Sequence, residues 1–567
     1  MRDVVRALLI AATLLFLTIP SRFGATGVSY TLATLLMFGA HIALTAMFRP
    51  NDLEKSETRV HRTAALIAAT IAAVLLVIAA RAWLYEILVY PHDPLRADML
   101  IVIQEGIRRM LRSQNPYTMY HVPWDATLPY GPVLWLPYAV PFVMRVDVRV
   151  MALLGELFVP VACALTAMAC ASRGRYGAAI ASLVLLAAAA VSPDLREFSS
   201  IAHTPSYWPG IALLAWLVAR ERWLAAATAC GLLIVARTTM IAVAPVLLMG
   251  VWQHDRRRAP RAFVVLTLAT LLPYLPFALW DPAALQYALY GSYQLLMKGF
   301  VWTSTTWAHN TIGVTGLLLR NGLERFTELT QLLAMLLTYG FAWRAIRSGA
   351  PPLPWMALAL FVFSTTTLWP VHYVYFDVTM LWMAAAIADG DWVGWRRVFP
   401  AWTLTLATAA SVVLLVVVAS IPSTPTIDVG IGATRALLYK GFSSNEGTDR
   451  TFAWVEGTSA EILVARRTRS AANIDLELEP YLPSPQSTQQ ISVALNGAVL
   501  GTSLLQQGWH SISFRAPAAA WRIGVNELVL SLSTAVSPHE AGTGDDTRKL
   551  SVAIDRLAVR TAFASPP

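Results

Sequence analysis

Charge is scarce in these 567 residues: only 14% are Asp, Glu, Lys or Arg, against about 25% in soluble domains. Apolar residues make up 56%, which excludes an ordinary soluble globule and points to a membrane-embedded chain. Lysine is scarcer still, at four of the 43 basic residues: Lys55, Lys298, Lys440 and Lys549. That arginine bias fits a GC-rich bacterial genome. Because the basic residues sit in short loops, the net charge of +9 reads as membrane topology and not as a nucleic-acid footprint. Cysteine is limited to Cys163, Cys170 and Cys230, each within an apolar run. They read as small core residues, which excludes a disulfide framework, and no Cys/His spacing suggests zinc. No small-residue cleavage pattern follows the apolar run Val4–Ile19, so it reads as a retained helix.

What is present in quantity is long apolar runs. Spans are expected near 4–19, 28–48, 64–90, 150–171, 176–192, 207–220, 223–236, 238–252, 262–280, 327–343, 353–369, 373–388 and 399–420, about thirteen helices in a polytopic α-helical membrane domain over residues 1–420. Loops with Arg49/Lys55/Arg59/Arg62, Arg173/Arg175, Arg220/Arg222, Arg256/Arg257/Arg258/Arg261, Arg344/Arg347 and Arg396/Arg397 alternate with loops nearly free of them. Placing the basic set in the cytoplasm puts 91–149, 192–207, 281–325, 369–373 and everything after Ser420 outside.

The loop 91–149 breaks the pattern, being external yet rich in arginine. Between Tyr90 and Pro132 it carries Asp93, Asp98, Glu105 and Asp125 with Arg96, Arg108, Arg109 and Arg112. A polar island of about forty residues between spans must sit in water or line a cavity. Leu100, Ile103, Ile107, Met110 and Leu111 recur at helical spacing, which predicts an amphipathic helix lying in the outer interface. Asp98 falls at its start, where the dipole favours a carboxylate; capping and chemistry are both open to it. Val133–Met144, broken by Pro137 and Pro141, reads as a short re-entrant or interfacial helix.

After Ile421 the character changes. Residues 425–567 are polar, with period-two runs such as IDLELEP, ISVALNG and NELVLSLS. Asn496-Gly497 between two of them is a strong hairpin signal. These runs predict an extracytoplasmic β-sandwich or jelly roll. Trp454, Trp509 and Trp521 are candidates either to stack on a sugar ring or to fill the core.

The order of residues in the external loop resembles the glycosyltransferase C superfamily, and within it the bacterial polyprenyl-phosphate-mannose-dependent enzymes. Asp98, Asn115-Pro116-Tyr117 and Tyr130-Gly131-Pro132 carry the likeness, with an Asp-to-Tyr spacing of 19. Ala308-His309-Asn310-Thr311 and Trp369-Pro370-Val371-His372-Tyr373 look similar to later external segments of that family. The likeness covers roughly residues 60–420. Two departures stand out. Gly131 takes a place where the family often has proline, and no second acid adjoins Asp98, which leaves a divalent metal possible but unsupported by an acidic pair.

The resemblance implies transfer of a sugar from a polyprenyl-phosphate donor to a lipid, glycan or protein acceptor outside the bacterial cytoplasmic (inner) membrane. Such transfer needs a base for the acceptor hydroxyl and cations for the departing phosphate. Asp98 is the first choice of base and Asp93 the second. Arg96, Arg108, Arg109, Arg112 and Arg237 suit phosphate, with Tyr117, Tyr130, Asn310 and His372 as further substrate contacts. For Arg108, Arg109 and Arg112, contact with anionic lipid headgroups is an equal alternative, and Arg237 also fits a tight surface loop. Two other classes stay open: a transporter or flippase for a lipid-linked glycan, and a non-catalytic scaffold of envelope assembly.

Overall fold

The computed structural model describes residues 2–24, 26–48, 61–89, 97–121, 125–144, 146–196, 203–296, 311–368, 372–388, 426–429, 438–466, 468–484 and 486–561. The chain divides into two compact units, one of residues 1–83 and 94–411 and one of 84–93 and 412–567. The expected span 399–420 lies outside the described residues.

The first unit is helical: α1 (Arg2–Leu17), α2 (Gly27–Met47), α3 (Arg62–Val89), α4 (Asp98–Leu111), α5 (Arg149–Ala171), α6 (Tyr176–Val191), α7 (Trp208–Ala219), α8 (Trp223–Ala236), α9 (Ala244–His254), α10 (Ala259–Leu271), α11 (Thr327–Arg347), α12 (Pro352–Thr366) and α13 (Val374–Ala388). Among the described residues, five stretches are long and apolar enough to cross a bilayer: Gly27–Met47, Arg62–Leu84, Arg149–Ala171, Ala259–Trp280 and Glu324–Arg347. The expected count of about thirteen included several short spans, and these five are the ones that reach full length. Several of the other apolar helices have 10–17 residues, short of the roughly 20 a span needs.

α13 is buried on every side, with Ala386 alone among its residues partly exposed, as its apolar sequence dictates. It packs against α1, α5, α7 and α12. Asp377 sits one turn into it, buried.

The second unit is antiparallel β: β1 (Thr426–Asp428), β2 (Leu438–Lys440), β3 (Phe442–Glu446), β4 (Phe452–Glu456), β5 (Ser459–Arg466), β6 (Ala472–Pro480), β7 (Gln489–Leu495), β8 (Ala498–Leu505), β9 (His510–Ala516), β10 (Gly524–Leu532) and β11 (Leu550–Thr561). One sheet runs β8-β7-β10-β5-β2. The other runs β9-β6-β11-β4-β3, with β1 paired to β11. Alternation decides which side is core: along β6 every second residue from Ala472 to Pro480 is buried. Ile474, Leu476, Val552 and Ile554 from one sheet share an apolar cluster with Ile462, Val493, Leu528 and Leu530 from the other. Asn496 and Gly497, at φ 51° and 86°, turn β7 into β8 as expected of an Asn-Gly hairpin. Asn526 is fully buried; it accepts from the Arg522 N–H (2.7 Å) and Asn496 Nδ2 (2.9 Å) and donates to the Val464 carbonyl (3.2 Å).

Candidate functional site

The polar loop after α3 is built on α4. Its apolar face (Leu100, Val102, Ile103, Ile107) is buried, and Gly106 leaves room for Leu128 and Tyr120 against it. The helix thus forms where its spacing predicts, with its apolar face covered by protein. Asp98 is its first residue, not its cap; the cap position belongs to Ala97. One Asp98 carboxylate oxygen accepts the Met99 N–H at 2.7 Å. Burial pushes this carboxyl above the usual carboxylate range, and the Met99 hydrogen bond pulls it partly back.

The arginines divide by role. Arg108 is exposed, pairs with Glu105 and lies 5.9 Å from the Phe142 ring centroid. Arg112 ends the helix in the open. Arg109 donates from Nε to the Asn115 carbonyl at 3.0 Å, so part of its guanidinium holds the Asn-Pro-Tyr turn. Asn115 Oδ1 accepts the Tyr117 N–H at 2.9 Å, an Asx turn that fixes the chain's exit from the helix. Tyr117 is 1% exposed. Its hydroxyl donates to the Tyr130 carbonyl (3.0 Å) and accepts from Trp135 Nε1 (3.2 Å). It therefore anchors the next corner.

That corner is Tyr130-Gly131-Pro132. A Cβ on residue 131 would overlap the carbonyl oxygen of Val235 and meet Tyr274 Oη at 2.5 Å. Gly131 has an extended backbone (φ −73°, ψ 160°), so space and not dihedral angle demands glycine. This accounts for one departure from the resembled pattern. Two residues beyond Val235 the helix breaks: Arg237 adopts φ −143°, ψ 112° between α8 and a 3₁₀ turn at Thr238–Val243.

The break turns Arg237 inward. Its side chain is 12% exposed and its Nε lies 4.0 Å from Asp377 Oδ2, which replaces the surface-loop reading by one of burial beside a carboxylate. Asp377 also accepts from Tyr207 Oη (2.6 Å) and Trp208 Nε1 (2.9 Å). Arg237 stands 5.7 Å from the Tyr373 ring centroid and within electrostatic range of Tyr130 and His203. The Tyr130 and His203 rings are 4.4 Å apart, and the His203 carbonyl accepts Tyr138 Oη at 2.7 Å. Arg237 Nε and His203 Nε2 have no hydrogen-bond partner among the described residues. A guanidinium N–H and an imidazole nitrogen thus keep spare hydrogen-bonding capacity beside the Asp377 carboxylate.

Tyr130 and Arg237 are thus brought together, while Asp98 has its hydrogen bond within its own helix. His372 is exposed, 6.0 Å from the Tyr373 ring. Asp93, Arg96 and Asn310 lie outside the described residues. Asp377, Tyr207, Trp208 and His203 escaped the sequence reading, yet a lone carboxylate inside an apolar run, VYFDVTM, is itself a signal. Among the described residues no three His, Cys, Asp or Glu side chains gather as a metal set. Trp521, at 1% exposure, belongs to the β core and drops out as a sugar-stacking residue.

No family model matches the sequence, and no curated protein matches it. Among solved structures, a family 35 carbohydrate binding module from an environmental isolate is similar at 16% identity, covering 25% of this chain and 98% of that one, with a TM-score of 0.16.

Proposed function

We propose that the chain is a polytopic glycosyltransferase of a bacterial cytoplasmic membrane, moving a sugar from a polyprenyl-phosphate donor to an acceptor on the outer face. About thirteen helices and an external β-sandwich belong to this reading. The observation that carries it is the docking of the Tyr130-Gly131-Pro132 corner on the backbone beside Arg237. It joins the polar external loop to a buried guanidinium with an unused N–H.

In this reading Asp98 takes the acceptor hydroxyl proton as the acceptor oxygen bonds to the sugar's anomeric carbon. The bond from that carbon to phosphate breaks, and Arg237 holds the departing anion through charge-assisted hydrogen bonds. A single displacement of this kind inverts the anomeric centre. The test is sugar transfer by purified protein from a synthetic polyprenyl-phosphate donor, comparing Asp98→Asn, Asp93→Asn and Arg237→Met with the parent chain. A general base contributes about 10²–10⁴-fold, so Asp98→Asn is expected to lose that much turnover. Full activity in the Asp98/Asp93 double variant sinks the mechanism.

A second reading, a transporter or flippase for a lipid-linked glycan, is favoured by Glu156. It is 1% exposed within α5, and neither carboxylate oxygen is hydrogen-bonded among the described residues; ionisable groups placed so within spans mark transport pathways. Mass spectrometry of glycans from a deletion strain separates the two. A glycan lacking one sugar supports transfer, and a complete precursor retained inside supports the flippase.

A further inference from the structure

The outward face of the sheet β9-β6-β11-β4-β3 carries a row of half-buried aromatic rings beside a ladder of polar side chains. Phe452 and Trp454 point outward from β4, while their neighbours Ala453 and Val455 are buried. The Phe452 ring lies 5.7 Å from Trp454 and 6.0 Å from Trp509, and Trp454 lies 6.0 Å from Tyr481. Next to them, Asp475 and Glu477 project from β6, with Ser513 and Ser511 of β9 directly opposite.

The sheet surface beside these rows is low. Ala553 of β11 sits between Trp454 and Glu479 in register, and Ala558 lies beside Asp475. Asp475, Glu477, Ser511, Arg556, Ala558 and Arg560 line a depression of about 160 Å³. From residue 553 to 560 the face runs on the order of 20 Å, several sugar rings long.

Its charges are largely paired with one another. Arg450 lies 4.3 Å from the Trp509 ring centroid, with its Nε 2.9 Å from Asp555 Oδ2 and its Nη2 3.8 Å from Glu477 Oε2. Arg560 Nε lies 3.1 Å from Asp475 Oδ2. Such pairing leaves little net field for a charged partner but holds planar donors and acceptors at fixed positions. Arg450 covers one face of Trp509, and the partly exposed rings beside convergent polar groups suit a ligand with both C–H faces and hydroxyl edges. We infer that this face binds a neutral oligosaccharide, independently of any transfer reaction.

The test uses the full chain in nanodiscs, titrated with mannohexaose, maltohexaose and cellohexaose, read by tryptophan fluorescence and calorimetry. At least one hexasaccharide is expected to bind saturably, and Trp454→Ala and Trp509→Ala each to weaken it about tenfold. Glu477→Gln, which removes no packing volume, is expected to weaken it as well and serves if the tryptophan variants misfold. The inference is overturned if none of the three sugars binds, if binding survives all three substitutions, or if the substitutions instead abolish self-association of the chain.

Discussion

Arg237 Nε lies 4.0 Å from Asp377 Oδ2, an oxygen that already accepts the Tyr207 hydroxyl at 2.6 Å. Asp377 is thus a hub for a phenol and an indole from the adjacent residues Tyr207 and Trp208 and for a guanidinium from a second segment. Removing it takes one partner from each and the counter-charge from Arg237. Asp377→Ala is expected to cost about 3–5 kcal/mol, the usual result of leaving a buried charge unpaired. Asp377→Asn keeps an acceptor and is expected to cost less, about 1–3 kcal/mol. Thermal melts of detergent-purified protein measure both, and equal melting of Asp377→Ala and the parent chain would contradict the hub.

Gly131→Ala inserts one carbon where the Val235 carbonyl already stands. Overpacking of this kind costs about 1–3 kcal/mol, and here relief requires the corner to lift from α8. The expected outcome is a modest fall in melting temperature with a larger fall in donor use. An unchanged KM for the polyprenyl-phosphate donor would show that the corner does not serve it.

Asp98 supplies a pH prediction. Burial raises its folded-state pKa, so the folded chain holds this proton more tightly than the unfolded chain. Its contribution to stability is therefore present at low pH and declines as pH rises through the two values. In the proposed transfer reaction the dependence runs the other way, because only the ionised carboxylate accepts a proton. The acid limb of the turnover profile is expected at a higher pH than for an ordinary aspartate, and Asp98→Asn is expected to remove that limb. A limb that persists in Asp98→Asn belongs to another group.

The strands could be read in advance because burial follows residue parity: IDLELE must place Ile474, Leu476 and Leu478 on one side and Asp475 and Glu477 on the other. Asn496-Gly497 announced its turn because few other pairs tolerate two positive φ values. Arg237 was visible as a cation between short apolar runs, but its inward turn was not, since the break that aims it depends on packing far away in sequence. Asp377 was hidden by averaging, one charge in a fifteen-residue apolar helix. The three tryptophans looked alike in sequence. Trp521 follows a 3₁₀ turn into the core, whereas Trp454 takes the outward parity of β4.

Asn526 ties three stretches of the β unit together through its side-chain amide. Expressed alone, residues 425–567 are expected to melt cooperatively with β-type circular dichroism. Asn526→Ala leaves the Arg522 N–H and the Val464 carbonyl without this partner, at about 1–3 kcal/mol for each buried group left unsatisfied. A fragment that melts without cooperativity would mean that the strands need the rest of the chain.

The contact at Gly131 also has a genetic consequence. Its nearest opposing group is a main-chain oxygen, which stays in place whatever side chain occupies position 235, while Val235 Cγ1 stands further off at 2.8 Å. Trimming Val235 therefore relieves only the weaker overlap of Gly131→Ala, and suppressor screens are expected to return changes that move the backbone of α8 or retract Tyr274. Positions 131 and 235 touch, yet the side chain at 235 governs the smaller part of that contact.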